Sequence, residues 1–90
     1  MSMNETELAQ GLQTEGYHFT YVWQDRPGKK YPNHSHVTET AHIILEGEMT
    51  LLMDGKEIHC RAGDRCDVPA GAVHSAFTGS QGCRYIIGER

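Results

Sequence analysis

The sequence is short of long apolar runs, paired cysteines and positive charge, and each shortage excludes a class of protein. No stretch reaches the 18 or more apolar residues of a membrane span. The opening MSMNETELAQG carries acids where a secretory leader has a cationic and then an apolar segment, so the expected location is cytoplasmic. The cysteines, Cys60, Cys66 and Cys83, are odd in number and contain no CxxC pair. A disulfide framework and a cysteine-based zinc site are therefore not expected. Eight Lys and Arg against twelve Asp and Glu leave a net charge of −4. Lys29-Lys30 is the only basic pair, so neither nucleic acid nor an anionic membrane is an expected partner. Internal repeats, low-complexity tracts and linkers are also missing, and 90 residues are read as one domain, 1–90.

What is present reads as short strands. Hydrophobic residues make up 38% and charged residues 22%, the balance of a folded chain rather than a disordered one. A chain this short buries only about 60–65% of its unfolded surface, so oligomerisation is a natural supplement. Residues 3–10 are read as a short helical turn. YHFTYVW (17–23) is aromatic and β-branched and reads as a strand. DRPGKKYPN (25–33), with two prolines and a glycine, reads as a loop. TAHIIL (40–45), RCDVP (65–69), HSAF (74–77) and CRYIIG (83–88) read as further strands.

The firmest local feature is MTLLMDGKEIHC (49–60). Asp54-Gly55 is a type I′ hairpin signal. It sets Met53 opposite Lys56, Leu51 opposite Ile58 and Met49 opposite Cys60. One face is then nearly all apolar, and the other holds Thr50, Leu52, Glu57 and His59, with His59 turned outward. About seven short strands with turns between them and almost no helix make an all-β sandwich or barrel.

His34, His36 and His42 fall within nine residues. On a strand, His34 and His36 share a face, so their imidazoles can converge on one metal ion. Around them runs Gly28, KKYPN, His34-Ser35-His36 and a closing Gly47. Later come Gly63, DRCDV, Pro69-Ala70-Gly71, AV and His74. These resemble the two motifs of the cupins, G-x5-H-x-H-x(3,4)-E-x6-G and G-x5-P-x-G-x2-H-x3-N. Fifteen residues separate Gly47 from Gly63, a separation typical of compact microbial members. The resemblance covers roughly residues 17–88 and is to small metal-binding bacterial cupins. It implies a cupin jelly-roll barrel over about 17–88, with a short N-terminal helical turn or extension. It also implies a divalent metal (Fe, Ni, Zn, Cu or Mn) held by His34, His36 and His74. Two positions depart from the family pattern. Its Glu ligand falls on Thr40, with Glu39 one place earlier on the opposite strand face, and its closing Asn is Thr78. His42 shares the face of Thr40 and is a fourth ligand, a substrate-contacting base or a core histidine hydrogen-bonded to a neighbour; Glu39 takes the fourth place only through a bulge.

Several other residues are candidates for a pocket. Tyr31 precedes the histidine pair and is placed at the pocket mouth. Thr40 and Cys66 face inward and are candidate substrate contacts, although a buried free cysteine more commonly packs as a small hydrophobe. Phe19, Tyr21 and Trp23 share a strand face suited to packing, with a pocket rim as the alternative. His18 and His59 read as structural or solvated. Ile43, Leu45 and Leu52 are apolar on what should be the outer face, which suggests a homodimer. The expected function is a small metalloenzyme acting on a small molecule. A three-His, dioxygenase-like oxidoreductase or a Lewis-acid isomerase or hydrolase fits; the alternative is a non-catalytic module that senses a metal or small molecule.

Overall fold

The computed structural model describes residues 4–90. Helix α1 (Glu5–Thr14) precedes β1 (Phe19–Asp25), β2 (Lys30–His34), β3 (Thr40–Met53), β4 (Lys56–Arg61), β5 (Arg65–Val68) and β6 (His74–Glu89). All strand pairs are antiparallel. The ladder runs β1-β6-β3-β4, with β2 also on β6 and β5 also on β3.

The two long strands explain why a single sheet closes into a jelly-roll barrel. The first half of β3 pairs with β5 and with the end of β6; its second half pairs with β4 and with the start of β6. Register shifts between Ile44 and Glu46 and between Gly47 and Met49 mark the bend. Glycine is required there. Gly47 and Gly82 both have φ +75, and a Cβ on Gly47 would lie 2.1 Å from the Gly82 carbonyl oxygen. What reads as separate short strands at 40–45 and 49–53, and at 74–77 and 83–88, is thus two continuous bent ones.

The Asp54-Gly55 hairpin forms with the expected pairs, and both residues have positive φ. His59 is exposed, but Thr50, expected outside, is buried and its hydroxyl meets His59 Nδ1 at 3.1 Å. The segment 25–33 is not all loop. After a turn at 26–29 it forms β2, and a register shift between Tyr31 and His34 accommodates Pro32, which has no N–H to give. Thr78 closes that turn, accepting from Lys29 N at 2.9 Å and donating to Arg26 O at 2.8 Å.

Helix α1 is longer than the single turn read from sequence, of which residue 3 lies outside the described residues. Asn4 caps it by accepting from Glu7 N at 3.1 Å. Its end is a Schellman turn, with Tyr17 N bonding Leu12 O and Gly16 at φ +102. The helix accounts for a correction. Ile43 and Leu45 are buried beneath it, in a cluster with Leu12, Tyr17, Ala41 and Ile86. Of the three residues expected to be free on the outer face, only Leu52 is, at 41% exposure. A second cluster, including Ile44, Met49, Leu51 and Val68, fills the barrel interior. Each such fully buried side chain contributes about 1.5–3 kcal/mol.

Candidate metal centre and ligand pocket

Three backbone features bring His34, His36 and His74 together. His34 ends β2 and sits opposite His74, the first residue of β6. His36 lies two residues past the end of β2, and its carbonyl accepts from Gly71 N at 2.8 Å, which ties it to the Pro69–Ala72 turn. That turn delivers the chain to His74. The ring centroids are 4.2 Å apart for His34 and His74, 4.8 Å for His34 and His36, and 5.2 Å for His36 and His74. One nitrogen from each ring lies within 4.8 Å of the others, so the three could hold one metal ion.

Protons are arranged to suit that role. His34 Nδ1 is 2.7 Å from Pro32 O, and His74 Nδ1 is 2.9 Å from Ala72 O. A carbonyl only accepts, so each Nδ1 carries the hydrogen and each Nε2 keeps its lone pair. Burial, and then the neighbouring His34 and His74, hold His36 below the ordinary imidazole pKa, which favours the neutral form a metal needs. A three-nitrogen donor set of this kind fits Zn, Fe, Ni or Cu and leaves coordination positions open.

The histidines open into a cavity of about 230 Å³. His42 lies on its wall but outside the cluster, so the structure does not bring it in as a fourth ligand. Burial pushes its pKa down to about 4, keeping it neutral at pH 7. Its Nδ1 is 3.4 Å from Cys66 O, which leaves Nε2 unprotonated. Glu39 is occupied elsewhere, with Arg90 at 3.0 Å and the Tyr17 hydroxyl at 3.3 Å. No bulge returns it to the histidines. Thr40 is buried with its Oγ1 unpartnered, but it does not line this cavity. Cys66 packs in the interior cluster with Cys60 and Cys83 and is also off the cavity wall.

Tyr31 does line the cavity, and it belongs to a group that the sequence reading missed. Buried Asp25 accepts from Tyr31 Oη at 2.6 Å, Trp23 Nε1 at 3.0 Å and Tyr85 Oη at 2.7 Å. Burial and then the bond to Asp25 raise the pKa of both phenols, so they remain protonated. Tyr21 and Trp23 also line the cavity, while Phe19 is exposed, so the shared face of β1 forms a pocket wall rather than core. The signal available was alternation. Tyr21, Trp23 and Asp25 lie two apart, and a carboxylate on an aromatic face needs donors around it.

A jelly-roll barrel in which histidines from β2, the segment after it and the start of β6 converge defines a class of small-molecule-binding protein. Residues 21–87 match the Cupin domain family, and the chain belongs to it. The chain is 39% identical over 64 residues to quercetin 2,3-dioxygenase of Bacillus subtilis (strain 168), covering 69% of this chain and 19% of that enzyme. Among solved structures it resembles the DMSP lyase DddQ from Ruegeria pomeroyi DSS-3. That match has a TM-score of 0.72 and 30% identity over 79% of this chain and 36% of the other. It also resembles a cupin superfamily protein from Desulfitobacterium hafniense DCB-2, with a TM-score of 0.70 and 20% identity over 78% and 63% of the two chains. The chain thus spans about a fifth and a third of the first two relatives. No helix among the described residues is long and apolar enough to cross a membrane.

Proposed function

We propose that this chain is a small metal-dependent cupin enzyme of the dioxygenase-like type, with His34, His36 and His74 as the metal ligands. The supporting observation is the three-imidazole cluster with no carboxylate in it. The relative named quercetin 2,3-dioxygenase points the same way. A divalent Fe, Ni, Cu or Zn ion would supply a Lewis-acid centre there and, for the redox-active metals, an electron-transfer centre.

The chain's own residues supply the rest. His42, neutral and with Nε2 free, takes a proton from a ligand hydroxyl. Tyr21, Trp23 and Tyr31 form an aromatic wall that orients a planar molecule. No Lys or Arg lines the cavity, so an anionic ligand has only the metal to meet its charge. Oxygen consumption with quercetin as the first substrate, measured on protein loaded with each metal in turn, tests this reading. Turnover should vanish on chelation and in His42→Ala, while His42→Ala keeps its metal.

The second reading is a non-catalytic binding module. The small cavity favours it, since ligand pockets generally run from about 300 Å³ upward. Tight ligand binding to the metal-loaded protein with no turnover for any metal would establish it. Under either reading we propose a homodimer that covers Leu52 and Phe77, which are diagonal neighbours on the outer face of β3 and β6 and 41% and 40% exposed. Light scattering at 10.1 kDa, the mass of one chain, would exclude it.

A further inference from the structure

Six of the eight polar side chains that line the cavity, Tyr21 and His36 aside, share a property: their protons are committed away from it. Trp23 Nε1, Tyr31 Oη and Tyr85 Oη all donate to Asp25, at 3.0, 2.6 and 2.7 Å. The Nδ1 hydrogens of His34, His74 and His42 face the carbonyls of Pro32, Ala72 and Cys66. What these groups leave for a ligand is lone pairs: Nε2 of His42 and the unused lone pairs on the phenol oxygens, with Nε2 of His34 and His74 facing the metal position. Asp25 is the centre of the arrangement. It is 6% exposed, takes three donors and has no cationic partner among the described residues. Its carboxylate can only accept, so it turns both phenol hydrogens toward itself.

We propose that Asp25 is a positioning residue that makes the cavity a hydrogen-bond acceptor, selective for a small hydroxylated ligand that brings its own donors. A ligand without donors leaves buried acceptors dry and unpaired, which disfavours it. A hydroxylated ring can place one oxygen at the three histidines and give a second O–H to His42 Nε2 or a phenol oxygen. Only the position of the first oxygen rests on the metal-centre reading.

The test compares catechol with 2-methoxyphenol on zinc-loaded protein by calorimetry. Zinc is redox-silent, so binding is read without turnover. Both probes can offer a phenolate to the metal, but only catechol retains a second O–H. Wild type should prefer catechol by about tenfold, of the order that one buried hydrogen bond supplies. In Asp25→Asn the amide can donate to a phenol, which frees that phenol's hydrogen to turn inward. The preference should then fall by about three- to tenfold, with zinc affinity unchanged. A preference that survives intact in Asp25→Asn comes from chelation alone and overturns the proposal. Tyr31→Phe, at a half-buried position, removes one acceptor and one of the three donors to Asp25 while leaving the carboxylate itself in place. It should lower the preference similarly, and it decides the matter if Asp25→Asn does not fold. Proton NMR of the metal-free protein gives a separate readout. Slowly exchanging hydroxyl resonances of Tyr31 and Tyr85 should appear in wild type and be lost in Asp25→Asn; their absence from wild type overturns the proposal. If zinc fails to bind, the metal-centre reading falls, and the NMR result still decides the role of Asp25.

Discussion

The imidazoles of His34, His36 and His74 and the thiols of Cys60, Cys66 and Cys83 lie within the same barrel, and both are metal-ligating types. The imidazoles stand at a cavity, and two of them have a backbone carbonyl behind to orient the ring. The thiols are packed among Ile44, Met49 and Leu51. Burial pushes Cys83 up to about 12, and burial together with a bond to Cys60 raises Cys66 as well. A thiol must lose its proton to bind metal or attack a substrate, and Cys66 and Cys83 are held protonated. An imidazole is a ligand in its neutral form, so partial burial suits it. The same interior thus makes one trio a candidate site and the other a core. Orientation, access and the protonation state each group needs decide between them.

The largest effect should come from breaking the imidazole set. His74→Ala should lower metal affinity by well over 100-fold, since even the outer hydrogen-bond partners of such ligands are worth roughly 10–100-fold. Competition against a chelator measures it, and Cys60→Ala should leave the affinity unchanged. A reversed result would assign the metal to the thiols.

His42 sharpens the contrast because it is an imidazole on the cavity wall that burial nonetheless holds neutral. Its folded pKa of about 4 lies below the ordinary 6.5. The unfolded chain therefore takes up a proton first as pH falls. Stability is intact above about 6.5 and declines through the window down to about 4, by up to about 3 kcal/mol at 1.36 kcal/mol per pKa unit. Urea unfolding of metal-free protein at pH 7 and pH 4.5 should show the loss, and His42→Phe should flatten it. An equal pH dependence in both proteins would show that His42 is solvated.

The smallest effect concerns the thiols themselves. Cys83→Ala should destabilise by about 1 kcal/mol, the scale of one small buried group. Labelling by a thiol reagent should proceed no faster than unfolding exposes the cysteines. Rapid labelling of the folded protein would remove the distinction between the trios.

The sequence carried the hairpin at Asp54-Gly55 and the motif spacing of His34, His36 and His74 because both are local or fixed by the family pattern. It concealed β2, since Pro32 looks like a strand breaker until the bulge that admits it is seen. It misplaced Ile43 and Leu45 because alternation shows which face is apolar but not what covers it, and α1 covers this one. Strand alternation set Thr40 and Cys66 facing inward correctly, yet facing inward does not mean reaching the cavity. The Asp25 group joins residues 23, 25, 31 and 85, and no window of sequence contains it.

The pairing of β6 carries a consequence for synthesis. That strand lies against β1, β2 and β3, from Phe19 opposite Glu89 to His34 opposite His74. A ribosome-bound chain lacking β6 can form the β3–β4 hairpin but has nothing to hold β1 or β2. His34 and His36 then wait without their third partner, and the apolar faces of β1 and β3 stay uncovered until β6 emerges from the exit tunnel. Such late, distant pairing folds slowly and leaves the nascent chain open to aggregation, so chaperone occupancy during translation should peak just before β6 is released.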